Sequence, residues 1–340
     1  MSFLSDHKKP YLIAEIAQAH DGSLGILHSY IDAVAKTGVQ AIKFQMHIAE
    51  AESSAAEPFR IKFSYEDDTR FDYWKRMGFT LDQWKGIKSH CDEAGLDFIC
   101  SPFSNLAVSW LEEIGVKAYK IGSGEVNNLL MLQKIVETRK PVILSSGMSD
   151  FSELDATVAF LKSKNADYSI LQCTTAYPTK PSQYGLNVMA ELRDRYQVAI
   201  GYSDHSAQVS TGIAAVALGA EILEFHVVFH RDLFGPDAKA SLTLEETAEL
   251  VTSVNMVYES LQHPINKNDN SEYDGLKAIF EKSIAVNKDL REGHILSIND
   301  LEGKKPKAMG ISASEFQSVI GKRLNKSLNQ WDFLQFEDIV

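Results

Sequence analysis

Residues 200–237 read IGYSDHSAQVSTGIAAVALGAEILEFHVVFHRDLFGPD, and their reading decides the fold. Two short strand-like runs, 197–202 and 221–228, flank a helix-length, Ala-rich segment, 207–219. Each run delivers a histidine near its C-terminal end, His205 and His226. If the strands are parallel neighbours, both imidazoles emerge on one rim. Two neutral imidazoles plus water or a substrate oxygen can hold a divalent cation. Asp237, in the following loop, would then face the same space. The competing reading makes Ser203, Asp204 and His205 a helix N-terminal cap, with Ser or Asp meeting free backbone N–H groups.

Outward from that stretch, the pattern repeats. Apolar runs occur at 11–16, 39–45, 96–101, 116–121, 141–145 and 168–173. Most are continuous rather than alternating, as expected of parallel strands buried on both faces. Amphipathic segments such as 24–37, 81–94 and 153–163 lie between them. Gly38, Gly95 and Gly115 stand where helices stop before the next strand. Eight strands, each followed by helix or loop, predict a (β/α)8 barrel over residues 1–262. A doubly wound open sheet is the rival, but no GxGxxG follows the first strand.

The connection 46–80 departs from the repeat. It holds acidic SYEDD (64–68) and aromatic FDYW (71–74), and reads either as a lid or as a packed Ω-loop. Residues 263–280, HPINKNDNSEYDG onward, read as a polar linker. Residues 281–340 are too few and too polar for a large core, and read as a small appended β-rich domain. No internal repeat beyond the βα unit is evident.

The 340 residues carry 34 basic and 46 acidic side chains, a net charge of −12. That balance argues against nucleic acid and anionic membrane as partners. No apolar run approaches the roughly 20 residues of a membrane span, and residues 1–10 lack a signal-peptide core. Cys91, Cys100 and Cys173 are odd in number and sit largely in apolar surroundings, which fits reduced thiols in a cytoplasm.

Catalytic groups of such a barrel gather at the C-terminal strand ends. Here those positions are mostly polar: Glu15, Gln18 and His20; Lys43 and Gln45; Ser101; Lys120, Ser123 and Glu125; Ser145 and Ser146; Thr174, Thr175 and Tyr177; Ser203, Asp204 and His205; His226. Two lysines and several hydroxyls suit a phosphate or carboxylate, and a GSG turn exposes N–H groups to an anion. A cation beside that anion acts as a Lewis acid and activates water. Such a set suits carbon–carbon bond formation or hydrolysis on a phosphorylated, carboxylated small molecule. Lys43–Glu15 and Lys120–Glu125 could equally be structural ion pairs. Glu221 and Glu224 read as strand geometry or a helix end, and His230 as solvent-facing.

Seven motifs carry a resemblance: AEIAQAHDGS (14–23), IKFQMH (42–47), SPFS (101–104), YKIGSGE (119–125), LSSGM (144–148), GYSDHS (201–206) and GPD (235–237). In this order they resemble the sialic acid synthase family, including legionaminic and pseudaminic acid synthases. SIAVNKDLREGHILSINDL (283–301) is similar to that family's antifreeze-like domain, of the SAF type with a β-clip fold. The resemblance implies metal-dependent condensation of phosphoenolpyruvate with an open-chain N-acetylated hexosamine. The sugar would be N-acetylmannosamine or a diacetamido 6-deoxy relative. The products would be a nine-carbon 2-keto acid and phosphate, released by C–O cleavage.

Carried over residue by residue, the resemblance implies that His205 and His226 hold Mn2+, with Mg2+ or Co2+ as alternatives. Glu15 and Glu125 would move protons or place water. Lys43, Ser101, Lys120, Ser123, Ser145, Thr175 and Ser203 would bind phosphoenolpyruvate. Gln45, Tyr177 and Asp237 would face the sugar. Family members are typically dimers in which the terminal domain caps the partner's barrel. Some relatives carry an Arg-Pro-Gly loop there that meets the N-acetyl group. The matching stretch here is KKPKAMGIS (304–312), with Lys305 the nearest counterpart, and lysine lacks the planar fork. A metal-dependent barrel hydrolase and an inactive sugar-binding relative are the other readings. His pairs and carboxylates suit the hydrolase, but no HxH follows the first strand, and two lysines on strands favour anion binding.

Overall fold

The structure is a computed structural model, and it describes residues 9–59 and 63–340. Eight parallel strands are β1 Tyr11–Glu15, β2 Ala41–Met46, β3 Asp97–Pro102, β4 Ala118–Ile121, β5 Val142–Ser145, β6 Tyr168–Cys173, β7 Ile200–Asp204 and β8 Ile222–Val228. Each pairs with the next, and β1 also pairs with β8, Glu15 lying opposite His226. That last pairing closes the ring and excludes the open sheet. A two-residue strand, Leu242–Thr243, adds to β8 outside the ring. No helix among the described residues is long and apolar enough to cross a membrane.

Local chemistry sets the element ends. Thr80 and Asp150 start helices with reciprocal capping boxes to Gln83 and Glu153. The helix Asn105–Ile114 stops at Gly115, whose φ of 87° is open to glycine at little cost.

Strand parity then sorts the barrel interior. Tyr11, Ile13, Ala41, Ile99, Ala118, Ile143, Leu171 and Ile222 form one buried apolar cluster inside the ring. Two residues further along the same strands come Glu15, Lys43, Ser101, Lys120, Ser145, Cys173 and Glu224. The interior is therefore greasy at one end and ionic at the other. The outward faces of the strands join the larger core beneath the helices, including Phe44, Phe98, Tyr119 and Phe225.

Gly201 belongs to the inward parity of β7. A Cβ there would lie 2.4 Å from the Ile222 carbonyl oxygen and 2.5 Å from a Leu171 methyl. Backbone cannot yield as a side chain does. Gly201→Ala is therefore expected to cost about 1–3 kcal/mol or more. A urea titration checks this, and an unchanged midpoint would contradict the close approach.

The connection after β2 is packed rather than open. Its helices Ala49–Glu52 and Arg70–Met77 meet through Ala49, Tyr73, Trp74 and Met77. Asp67 of the acidic stretch is buried and takes both Nε (3.1 Å) and Nη2 (2.8 Å) of Arg76. The aromatic stretch is the second of these helices. Residues 60–62 of this connection lie outside the described ones.

The chain forms two compact units, Met1–His263 and Pro264–Val340. The segment read as a linker is partly helical: Asp274–Phe280 is a helix, and Lys307 N–H bonds to the Ala278 carbonyl. In the second unit Ser283–Val286 pairs antiparallel with Leu301–Lys304. Its core includes Ile284, Val286, Leu290, Leu296, Leu324, Leu328 and Leu334.

That unit does contain a repeat, contrary to the sequence reading. Asn287, Lys288, Leu290, Leu296 and Asp300 recur 38 positions on as Asn325, Lys326, Leu328, Leu334 and Asp338. The backbone follows: Asn287 N–H meets Asp300 O at 2.9 Å, and Asn325 N–H meets Asp338 O at 3.0 Å. Leu290 and Leu328 exchange both N–H···O bonds at 2.8 Å, so a pseudo-two-fold axis runs between them. Lys288 pairs with Asp300 at 2.7 Å and Lys326 with Asp338 at 2.5 Å. Gly293 and Trp331, also equivalent, both have positive φ, 83° and 76°. The identities are few and scattered, and the match shows in the hydrogen bonds, the ion pairs and the backbone angles.

Candidate active site

The ionic end of the barrel opens into a cavity of about 860 Å3. Its deepest layer is a buried row of alternating charge. Lys43 Nζ lies 2.7 Å from Glu15 Oε1 and 3.8 Å from Glu224 Oε2. Lys120 Nζ lies 3.2 Å from Glu224 Oε1 and donates to Ser145 Oγ at 2.7 Å. Ser203 donates to Glu224 at 2.9 Å, and Ser101 Oγ is 3.4 Å from Lys43 Nζ. Burial alone would raise the Glu15 carboxyl, but Lys43, then His226 and Lys120, outweigh it and hold it well below the usual range. Lys43 is correspondingly raised, burial being overcome by Glu15 and Glu224.

The histidines stand beside this row. The His205 and His226 ring centroids are 5.1 Å apart, with Tyr177 4.3 Å from His205. His226 Nε2 faces Glu15 Oε2 at 3.3 Å. His205 Nδ1 faces the Thr174 carbonyl at 3.3 Å, which favours a proton on Nδ1 and leaves Nε2 as the donor atom. Among the described residues, no group of three His, Cys, Asp or Glu is arranged as a metal site. The two imidazoles suit a cation whose remaining positions are taken by water or substrate oxygens.

Glu125 sits on the turn Ser123–Glu125 after β4, with Asn128 Nδ2 donating to it at 2.7 Å. Burial, reinforced by Glu52, raises its pKa despite that bond. Gly147 brings the loop after β5 close: a Cβ there would lie 2.6 Å from both Ser123 Oγ and Thr175 Oγ1.

The cavity gathers fourteen of the fifteen residues given a catalytic, binding or metal role from the sequence: Glu15, Lys43, Gln45, Ser101, Lys120, Ser123, Glu125, Ser145, Thr175, Tyr177, Ser203, His205, His226 and Asp237. Lys305 belongs to the second unit, where its Nζ lies 4.7 Å from the Phe280 ring centroid. Other rim candidates do structural work. Asp204 accepts from Ser206 N–H and Oγ in a local turn and caps no helix, since the helix that follows starts at Val209 after Gln208 with no side-chain cap; burial pushes Asp204 up to about 6. Ser146 donates to the Leu171 carbonyl, and His20 Nδ1 accepts from Gly22 N–H at 3.0 Å.

Glu224 is the principal correction. It serves neither a helix end nor strand geometry alone but bridges the two lysines, and it replaces Glu125 as the partner of Lys120. Parity could have found it: it is two residues from His226 on the same strand. The connection after β2 adds Glu52, Glu57, Phe63, Arg70, Tyr73 and Trp74 to the cavity wall, and no strand pattern points to them.

Residues 30–266 match the NeuB family. The chain belongs to the NeuB family. Its similarity to members extends over nearly the full chain. It is 31% identical over 334 residues to the N,N'-diacetyllegionaminic acid synthase of Campylobacter jejuni, covering 96% of this chain and 99% of that protein. It is 30% identical over 331 residues to the human N-acetylneuraminate-9-phosphate synthase, covering 96% and 92%. The solved N-acetylneuraminic acid synthetase of Leptospira borgpetersenii, in complex with citrate, superposes with a TM-score of 0.70 at 29% identity, covering 79% of this chain and 91% of that one. NeuB-family membership is thus supported by sequence and by fold, and the barrel is a (β/α)8 barrel.

Proposed function

We propose that this chain condenses phosphoenolpyruvate with an open-chain N-acetylated hexosamine, forming a nine-carbon 2-keto sugar acid and phosphate. The acceptor is N-acetylmannosamine or a diacetamido 6-deoxy relative. C3 of phosphoenolpyruvate bonds to the sugar aldehyde carbon, water adds at C2, and cleavage of the C2–O bond releases phosphate. The names of the NeuB-family relatives support a nonulosonate product.

One observation carries the reading: the buried row Glu15–Lys43–Glu224–Lys120 is neutral as it stands and lies beside two imidazoles. Lysines already balanced by carboxylates gain an anionic substrate most readily when a cation comes with it. His205 and His226 would hold that cation, Mn2+ or, in its place, Mg2+ or Co2+. When bound it would supply Lewis-acid polarisation. Lys43, Lys120 and the hydroxyls of Ser101, Ser123, Ser145, Thr175 and Ser203 would hold phosphate and carboxylate by charge-assisted bonds. Glu125, its carboxyl biased toward the protonated form, is suited to give up a proton. Glu15, held ionised by Lys43, is a poor proton acceptor and is suited to position water. Gln45, Tyr177 and Asp237 would face the sugar.

We take the second unit to be an antifreeze-like SAF domain and the enzyme to be a cytoplasmic homodimer. In it, Lys305 would reach the sugar bound in the partner's barrel.

The test is phosphate release from phosphoenolpyruvate with Mn2+ across a panel of hexosamines, including N-acetylmannosamine and diacetamido 6-deoxy sugars. Release with one sugar, together with the mass of a nine-carbon keto acid, is expected. Treatment with EDTA should abolish release, and added Mn2+ should restore it. Release without any sugar would overturn the condensation, and full activity in EDTA would overturn the metal role.

A further inference from the structure

Behind Gln45 runs a chain of hydrogen bonds that this chemistry does not use. Gln45 Nε2 lies 2.6 Å from Glu15 Oε1, while Gln45 Oε1 lies 3.1 Å from Gln18 Nε2 and 3.2 Å from His47 Nε2. His47 Nδ1 lies 2.6 Å from Glu52 Oε1. The imidazole is clamped between two near-parallel rings, with centroids 3.8 Å from Trp74 and 4.4 Å from Phe103. His47 and Glu52 are both closed off from solvent, with side-chain exposures of 3% and 7%.

Counting protons fixes the direction of every bond. Glu15, paired with Lys43, accepts and does not donate. Gln45 must therefore turn its NH2 toward Glu15 and its carbonyl oxygen toward Gln18 and His47. A carbonyl only accepts, so His47 must donate from Nε2. The 2.6 Å contact between Nδ1 and Glu52 needs a proton as well. The His47–Glu52 pair thus holds two protons, one on Nε2 and one between Nδ1 and the carboxyl. The reversed Gln45 amide would set its oxygen against the Glu15 carboxylate and its NH2 against the Gln18 NH2.

We propose that His47 and Glu52 are positioning residues that lock the Gln45 side-chain amide in one orientation. Through it they fix the donor presented to Glu15 and the edge presented to the acceptor sugar. For the identity of that sugar the proposal rests on the reading above, but the lock itself does not. Their role is to hold Gln45, and neither need touch the reacting atoms.

Two readouts test it. The side-chain amide signal of Gln45, identified by its loss in Gln45→Ala, is expected downfield and slow to exchange in the native protein. In His47→Phe, which keeps the stack and loses the donor, it should move toward the free-amide position. Glu52→Leu should do the same, while Glu52→Gln, whose NH2 can donate to Nδ1, should preserve the signal. In turnover, His47→Phe should lower kcat/KM for the sugar about 10–100-fold, the usual cost of losing an outer orienting partner, with KM for phosphoenolpyruvate within about twofold. In a Gln45→Ala background the same change should cost less than about twofold, because its partner is already gone. An unmoved amide signal in both His47→Phe and Glu52→Leu, or fully additive losses, would overturn the proposal. If the native protein turned over no sugar at all, the condensation reading would fall, and the amide signal would still decide this one.

Discussion

Replacing Lys43 with methionine is expected to destabilise the barrel by about 3–5 kcal/mol, the usual cost of removing one partner from a buried ion pair. The ammonium lies 2.7 Å from Glu15 and 3.8 Å from Glu224, and all three side chains are closed off from solvent. Without it two buried carboxylates share what Lys120 and His226 can offer. For a unit of this size the loss corresponds to a melting shift of roughly 6–20 °C. The pH dependence has a definite sign. A carboxyl held low in the native state adds stability above its unfolded pKa, and that stability is lost as pH falls toward the native value. In the variant, burial would prevail and Glu15 would rise instead. The gap between native and variant should therefore be widest above about pH 5 and shrink in acid. Melts from pH 4 to 8 check this, and a gap that stayed constant would mean that Glu15 does not depend on Lys43.

His205→Ala is expected to lower kcat/KM for phosphate release by on the order of 10²–10³-fold, comparable to removing one preorganised electrostatic contact at a reacting centre. The imidazole is held from behind by the Thr174 carbonyl and packed by Tyr177. Mn2+ affinity, read separately by calorimetry, should fall in the same variant. His230 provides the control: it lies on the loop after β8 with 68% of its side chain exposed, and His230→Ala should stay within about twofold. Native turnover in His205→Ala, or unaltered Mn2+ binding, would remove this residue from the proposed metal role.

Much of this was legible because barrel strands obey two simple rules. Continuous apolar runs marked all eight strands, and their ends shifted by only a few residues; the run at 197–202, for example, became Ile200–Asp204. Polar residues at those ends then marked the site. Glu224 escaped because two glutamates on a strand were read by type, when parity alone places Glu224 inside with Ile222 and His226. The wall built by Glu52, Glu57 and Trp74 was not legible: its helices follow no barrel repeat, and their approach to the cavity depends on long-range packing against β2 and the loop after β3. The His47 network was hidden for a related reason. A histidine one residue past the end of β2 carries no sign in sequence of the two rings that enclose it.

The pseudo-two-fold of the second unit turns it into its own reference experiment. Gly293 and Trp331 occupy the same left-handed backbone position in the two halves, one without a Cβ and one with a large ring. A residue with a side chain gives up roughly 1–2 kcal/mol in that region. Trp331→Gly thus trades that relief against the contact of the indole with Lys304, 5.1 Å from its centroid. Likewise, Asp300 and Asp338 anchor matching turns but with different retinues: His294 and Ser297 assist the first, and the second has Asp332 and Gln335 at those places. Asp→Asn made once in each half would hold the backbone geometry fixed and vary only the neighbours. The difference between the two melts would read out what the neighbouring side chains add to a buried carboxylate within one molecule.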